Sequence, residues 1–182
     1  APGQPFRYGG AVQPAGIAPK VAKRLELAAC RLAAALSLRG LNSADFMVDG
    51  DDFWIVEINP RPGATLDIFE TDGGPARGPS LFALHMAACG GDLPDAAPPS
   101  EGARASAVCY AGYDVTVPPR FAWPSWCADR PGGGLAIGAG QPLCTVHAGA
   151  ATAADAKALT DARLALLQSW IHEWAGREGE KS

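Results

Sequence analysis

The chain has 182 residues, enough for one domain or two small ones, and 48% of them are hydrophobic, which suffices for a packed core. Its formal net charge is −4, which argues against a nucleic-acid-binding surface. No run approaches the roughly 18 apolar residues of a membrane span, and no signal peptide is visible. The five cysteines (30, 89, 109, 127 and 144) include no Cys-x-x-Cys pair. They read as reduced thiols of a cytoplasmic protein, neither a disulfide framework nor a zinc ribbon. His85, His147 and His172 stand apart from one another and suggest no metal centre.

In chain order, Phe6 to Val12 reads as a short strand or loop ended by Pro14. A helix is predicted from about Ile17 to Leu38, with Pro19 in its first turn and Gly40 closing it. Val21, Leu25, Ala28, Leu32 and Leu36 keep helical spacing. Lys20, Lys23, Arg24 and Arg31 read as its solvated face. Asn42 to Val48 and Phe53 to Asn59 form two strands around the turn formers Asp49-Gly50-Asp51-Asp52, the pattern of a β-hairpin. Leu66 to Glu70 begins a short helix or loop. Asp67, Glu70 and Asp72 there are acidic and near the site, with contact to an amine substrate the lesser reading. Ser80 suits the N-cap of a helix through Cys89, ended by Gly90-Gly91. Residues 93–104 read as a linker by composition.

A second unit follows over 105–182. Ala105 to Ala111, Asp114 to Val117, Ile137 and Leu143 to Ala148 read as short strands. Gly132-Gly133-Gly134 lacks a following Lys-Ser/Thr and reads as a turn, not a phosphate loop. Trp123-Pro124-Ser125-Trp126 reads as a packed loop. The terminal helix, about Ala153 to Trp174, carries Leu159, Ala162, Leu166, Leu167, Trp170, Ile171 and Trp174 as its apolar face. Self-association through that helix, giving a homodimer, is left open.

The chemistry concentrates in the hairpin. Side chains alternate faces along a strand, so Glu57 and Asn59 should point with Phe53 and Ile55, away from Trp54, Val56 and Ile58. Asp45 and Met47 share a face. With Asp45 opposite Glu57, Met47 falls opposite Ile55, and three oxygen donors stand together. Paired carboxylates repel, and a divalent cation relieves the repulsion. Mg²⁺ takes one or two carboxylates with substrate phosphates and water, whereas zinc favours Cys and His. Periodicity alone fits an amphipathic hairpin with a polar solvent face equally well. The exit Asn59-Pro60-Arg61-Pro62-Gly63 tips the balance, because it forces a turn, exposes amides and adds a guanidinium fork.

Arg39 to Phe46, followed by the hairpin and Glu57-Ile58-Asn59-Pro60-Arg61, resembles the second half of the ATP-grasp fold shared by biotin carboxylase, D-alanine–D-alanine ligase and the carboxylate–amine ligases. The resemblance covers roughly residues 6 to 90. It implies an α+β chain: the C-terminal part of an ATP-grasp domain (1–92, a helix plus an antiparallel hairpin), a linker, and a β-rich extension with a terminal helix similar to that of biotin-carboxylase-like enzymes. It implies Mg²⁺ (or Mn²⁺) held by Asp45, Glu57 and Asn59, with Met47 against adenine. Arg61 would steady the acyl phosphate, and the backbone around Gly63 would hold the acyl group. The implied activity is that of an EC 6 type ligase using ATP, a small-molecule carboxylate and an amine to form an amide through an acyl phosphate. The alternatives are a biotin-carboxylase-like carboxylase and an inactive folded fragment or interaction module. The chain opens without the module whose lysines hold the ATP phosphates in this family. It therefore reads as part of a longer enzyme, partnered by the missing N-terminal half and expected to be inactive alone.

Overall fold

The computed structural model describes residue 4 and residues 6–69, 79–93 and 102–179. They form an α+β fold with eight strands and four helices in the described segments. The chain divides into two units, Ala1–Pro14 with Gly102–Ser182, and Ala15–Glu101. This division departs from the expected domain of residues 1–92 at its N-terminus. The reason is strand pairing: β1 (Gly10–Gln13) pairs antiparallel with β4 (Ala103–Tyr110), so the first residues complete the later sheet. Gly10 makes that pairing feasible. It sits at φ 144°, and a Cβ there would lie 2.1 Å from the Ser106 carbonyl oxygen. Most of the expected linker lies outside the described residues.

The Ala15–Glu101 unit begins with α1 (Pro19–Ala35). The helix stops short of the expected Leu38 because Ser37, at φ 52°, turns the backbone left-handed. The Leu38 amide then bonds the Ala33 carbonyl and the Ser37 amide bonds that of Ala34, the pairing of a Schellman cap made without glycine. β2 (Ser43–Asp49) and β3 (Asp52–Asn59) follow as the expected hairpin, with Gly50 at φ 57° in its two-residue loop. Lys20 lies 3.5 Å from Asp51, and the Arg24 guanidinium sits over the Phe53 ring, so two residues of the cationic helix face reach the hairpin. A single turn, α2 (Leu66–Phe69), and then α3 (Leu81–Gly90) complete the unit. As expected, the Ser80 hydroxyl accepts the Ala83 amide at 3.1 Å, and Gly91 closes α3 at φ 105°. Glu70 and Asp72, the further acidic candidates, lie outside the described residues.

The second unit holds a four-stranded sheet in the order β1-β4-β8-β6, with β6 at Cys127–Ala128 and β8 at Pro142–Ala150. A separate pair joins β5 (Val115–Thr116) to β7 (Ala136–Ile137). The three glycines 132–134 form the turn ahead of β7. The Gly134 amide bonds the Val117 carbonyl at 2.8 Å, and a Cβ on Gly133 would meet the Pro119 carbonyl oxygen at 2.4 Å. The terminal helix α4 (Ala153–Gly179) opens on a reciprocal cap: the Asp155 amide bonds the Thr152 hydroxyl, which donates to the Asp155 carboxylate.

The buried stripe of α4 runs through Ala156, Thr160, Leu167, Ile171 and Trp174. It is rotated from the expected face: Leu159, Ala162 and Leu166 are exposed, while Leu167, Ile171 and Trp174 are buried as foreseen. Small residues set the rotation. Ala156 packs against Ala103 and Ala105 of β4. Thr160 satisfies its hydroxyl on the Ala156 carbonyl at 2.9 Å, which lets the helix lie close to an alanine-lined strand. Phe121, Trp123, Trp170 and Trp174 then interlock edge to face at one end of this core, so the Trp-Pro-Ser-Trp loop is packing, as expected.

Candidate Mg-ATP face on the hairpin

The hairpin register places Asp45 directly opposite Glu57 and Ser43 opposite Asn59. Direct cross-strand partners share a sheet face, so Asp45, Glu57 and Asn59 stand together as the sequence suggests. Beyond Asp45 the register shifts. Phe46 pairs with Ile55 and Met47 with Trp54, leaving Val56 as the extra residue of a β-bulge. Met47 is therefore opposite Trp54, not Ile55 as expected. Strict alternation fails at Val56: Trp54, not Ile55 or Phe53, joins Met47, Asp45 and Glu57. Phe53 packs edge to face on Phe46 on the other side, toward α1. On that helix side Ala44 and Ile58 line a cavity of about 320 Å³ with Ala29, Leu32 and Ala33.

The two faces differ in cover. Asp45 and Glu57 are exposed, and beside them Met47 is 65% and Trp54 56% exposed. Two facing carboxylates and a large apolar pair thus share one open surface. Among the described residues, no group of three His, Cys, Asp or Glu side chains is placed to hold a metal. The donor set here is two carboxylates and an amide oxygen, matching the one or two carboxylates that Mg²⁺ takes from a protein.

The strand exit is shaped by close contact. Gly63 lies against Ser43, and a Cβ on it would come within 2.9 Å of the Ser43 Cβ and Oγ. The Leu66 amide bonds the Gly63 carbonyl at 3.2 Å, beginning α2. Arg61 is exposed, and its Nη1 bonds the Pro62 carbonyl at 3.3 Å, so the guanidinium folds along its own loop.

The entry to β2 is set by a residue that reads as isolated in the sequence. His85 Nδ1 accepts the Leu41 amide at 2.9 Å. Gly40 makes room for it at φ 71°, since a Cβ there would lie 2.6 Å from that ring nitrogen. Neither the roles of Ser43, Trp54 and His85 nor the bulge at Val56 shows in apolar periodicity, because each depends on cross-strand register or on a contact from a distant helix.

A hairpin carrying paired carboxylates, backed by a single helix and joined in one chain to a small β-rich unit with a terminal helix, defines an α+β protein with a candidate metal–nucleotide face. Residues 1–65 match the model of the ATP-grasp domain family. The fold extends the likeness along nearly the whole chain. The urea carboxylase of Kluyveromyces lactis is similar with a TM-score of 0.69 at 19% identity, over 94% of this chain and 17% of that one. The pyruvate carboxylase of Rhizobium etli matches at 0.67 and 16%, over 90% and 18%. The N5-carboxyaminoimidazole ribonucleotide synthetase of Thermus thermophilus matches at 0.60 and 20%, over 87% and 42%. The chain thus spans less than half the length of each of these proteins. No curated protein is matched by the sequence. Among the described residues, no helix is long and apolar enough to cross a membrane.

Proposed function

We propose that this chain supplies the Mg-ATP face of an ATP-dependent ligase that joins a carboxylate to an amine through an acyl phosphate. The observation that carries the reading is the direct pairing of Asp45 with Glu57, with Asn59 next along the same face. Like charges opposite one another destabilise a sheet, a cost that a cation between them offsets. Their carboxylates and the Asn59 amide oxygen would hold Mg²⁺ or Mn²⁺. When bound, the ion supplies charge neutralisation to the transferring phosphoryl group.

The remaining roles follow from position. Met47, open beside the carboxylates, offers apolar contact to the adenine base. Arg61 at the strand exit bears positive charge toward the acyl phosphate, and the Gly63 amide toward the acyl oxygen. A substrate carboxylate oxygen attacks the γ-phosphorus of ATP, ADP leaves, and the amine then displaces phosphate from the acyl carbon. Because the face is open in this chain, turnover belongs to the intact enzyme, with the rest of the ATP clamp supplied by further chain.

The fold likeness to urea and pyruvate carboxylases favours a second reading, in which bicarbonate takes the place of the substrate carboxylate and carboxyphosphate forms. ADP release by the intact enzyme separates the two. The ligase reading predicts ADP formation that requires an amine together with a carboxylate and proceeds in bicarbonate-free buffer. ADP release that needs bicarbonate and ignores amines would establish the carboxylase reading instead.

A further inference from the structure

Three cysteines converge in the core of the β-rich unit. Cys109 on β4, Cys144 on β8 and Cys127 on β6 are 1%, 3% and 4% exposed and belong to one apolar cluster. All three are free thiols. The grouping is not arranged as a metal site, and the proposed ligase chemistry makes no use of it. Cys109 and Cys144 are direct cross-strand partners. Opposed residues of an antiparallel pair have Cα atoms roughly 4.5–5.5 Å apart, inside the span of about 4.4–6.8 Å that a disulfide bridges. Cys127 is opposite Val146, so it is only a diagonal neighbour of Cys144. Diagonal pairs lie about 7–8 Å apart, at or beyond the limit of roughly 7 Å.

We infer that Cys109 and Cys144 form a dithiol oxidation site, which a hydroperoxide converts to an intrachain disulfide joining β4 to β8. The Cys109 sulfur attacks a peroxide oxygen, the O–O bond breaks, and a sulfenic acid forms with release of water or an alcohol. The Cys144 sulfur then attacks the sulfenic sulfur, and the oxygen leaves as water. Two thiols lose two electrons and both protons to one peroxide, so the step balances. The surroundings favour this order. A hydrogen bond from Cys144 holds the Cys109 thiol below its ordinary pKa against the opposing effect of burial. Through that same bond, then burial, Cys144 is pushed upward and keeps its proton. Burial, the leading effect, raises Cys127. The crosslink itself rests on the direct cross-strand pairing of Cys109 with Cys144.

The test uses the chain with its two exposed cysteines replaced, Cys30→Ser and Cys89→Ser, leaving three thiols. The folded protein is treated with hydrogen peroxide, quenched with catalase, denatured, alkylated and mapped without reduction. The expected result is loss of two alkylatable thiols, a single crosslinked peptide pair containing Cys109 and Cys144, and recovery of both thiols with dithiothreitol. A further Cys127→Ala change should leave the crosslink in place, and the map of the three-thiol protein stands even where that variant fails to fold. Three alkylatable thiols after peroxide, sulfinic acid at Cys109 without a crosslink, or a crosslink to Cys127 would each overturn the assignment.

Discussion

At the scale of single residues, the candidate site depends on close contacts that leave no slack. Gly63 is the sharpest case: at this position the polypeptide turns out of β3 directly over Ser43. A methyl group there meets the Ser43 side chain at 2.9 Å, tighter than packed atoms allow, and overpacking of this kind costs about 1–3 kcal/mol. Gly63→Ala should therefore lower the midpoint of urea unfolding, and Ser43→Gly in the same chain should restore part of the loss, since the clash is with a removable side chain. Additive losses in the double variant would show that the two residues do not share the contact. Gly40 and His85 pose a similar constraint at the other end of the hairpin, where the ring meets the Leu41 amide from 44 positions along the chain.

At the scale of elements, the β-bulge decides which side chains share the site. If Val56 were paired in a regular ladder, Glu57 and Asn59 would stand on the same face as Ile55 and Phe53, the face turned to α1. The bulge at Val56 moves the parity by one, so that the carboxylate pair and the Met47–Trp54 pair share the open face. Inserting one alanine between Asp45 and Phe46 would give Val56 a partner, erase the bulge and put the Asp45–Glu57 pair on the face of Phe46 and Ile55, away from Met47 and Trp54. In the intact enzyme we expect ADP formation to fall at least about 100-fold, the scale of losing a transition-state stabiliser, while far-UV circular dichroism keeps its helix and strand signal. Full activity in the insertion variant would show that the face does not depend on the bulge.

This is also where the sequence was legible and where it stopped being so. The hairpin, its Asp45–Glu57 alignment, the Ser80 cap and the glycine-ended α3 follow from local chemistry that a few neighbouring residues specify. The partner of Met47 does not, because a bulge changes register without changing composition. The true face of α4 was hidden for a different reason. Alanines and a self-satisfied threonine make the closest helix–strand approach, and small residues carry little weight in an apolar count beside Leu159 and Leu166.

At the scale of the whole molecule, the chain carries two differently built units. In Ala15–Glu101, Val21 and Ile68 are the buried apolar residues among those described, whereas the other unit buries a continuous core from Cys109 to Trp174. The strand that makes this division non-obvious is β1, which lies far from β4 in sequence and joins it through a glycine that no side chain could replace. Gly10–Gln13 fall within the segment that matches the ATP-grasp model together with the hairpin, yet their backbone is used by the later sheet.

The open, lightly buried unit is the one that bears Asp45, Glu57 and Asn59, and its proposed work depends on the charge those groups present. Glu57→Gln and Asp45→Asn preserve side-chain size and remove that charge, so the most direct measurement is ADP formation by the intact enzyme carrying either change at ordinary Mg²⁺ concentration. The account predicts a fall of about 100-fold or more for each, with the circular dichroism of the folded protein unchanged. Near-normal turnover in either variant would contradict it.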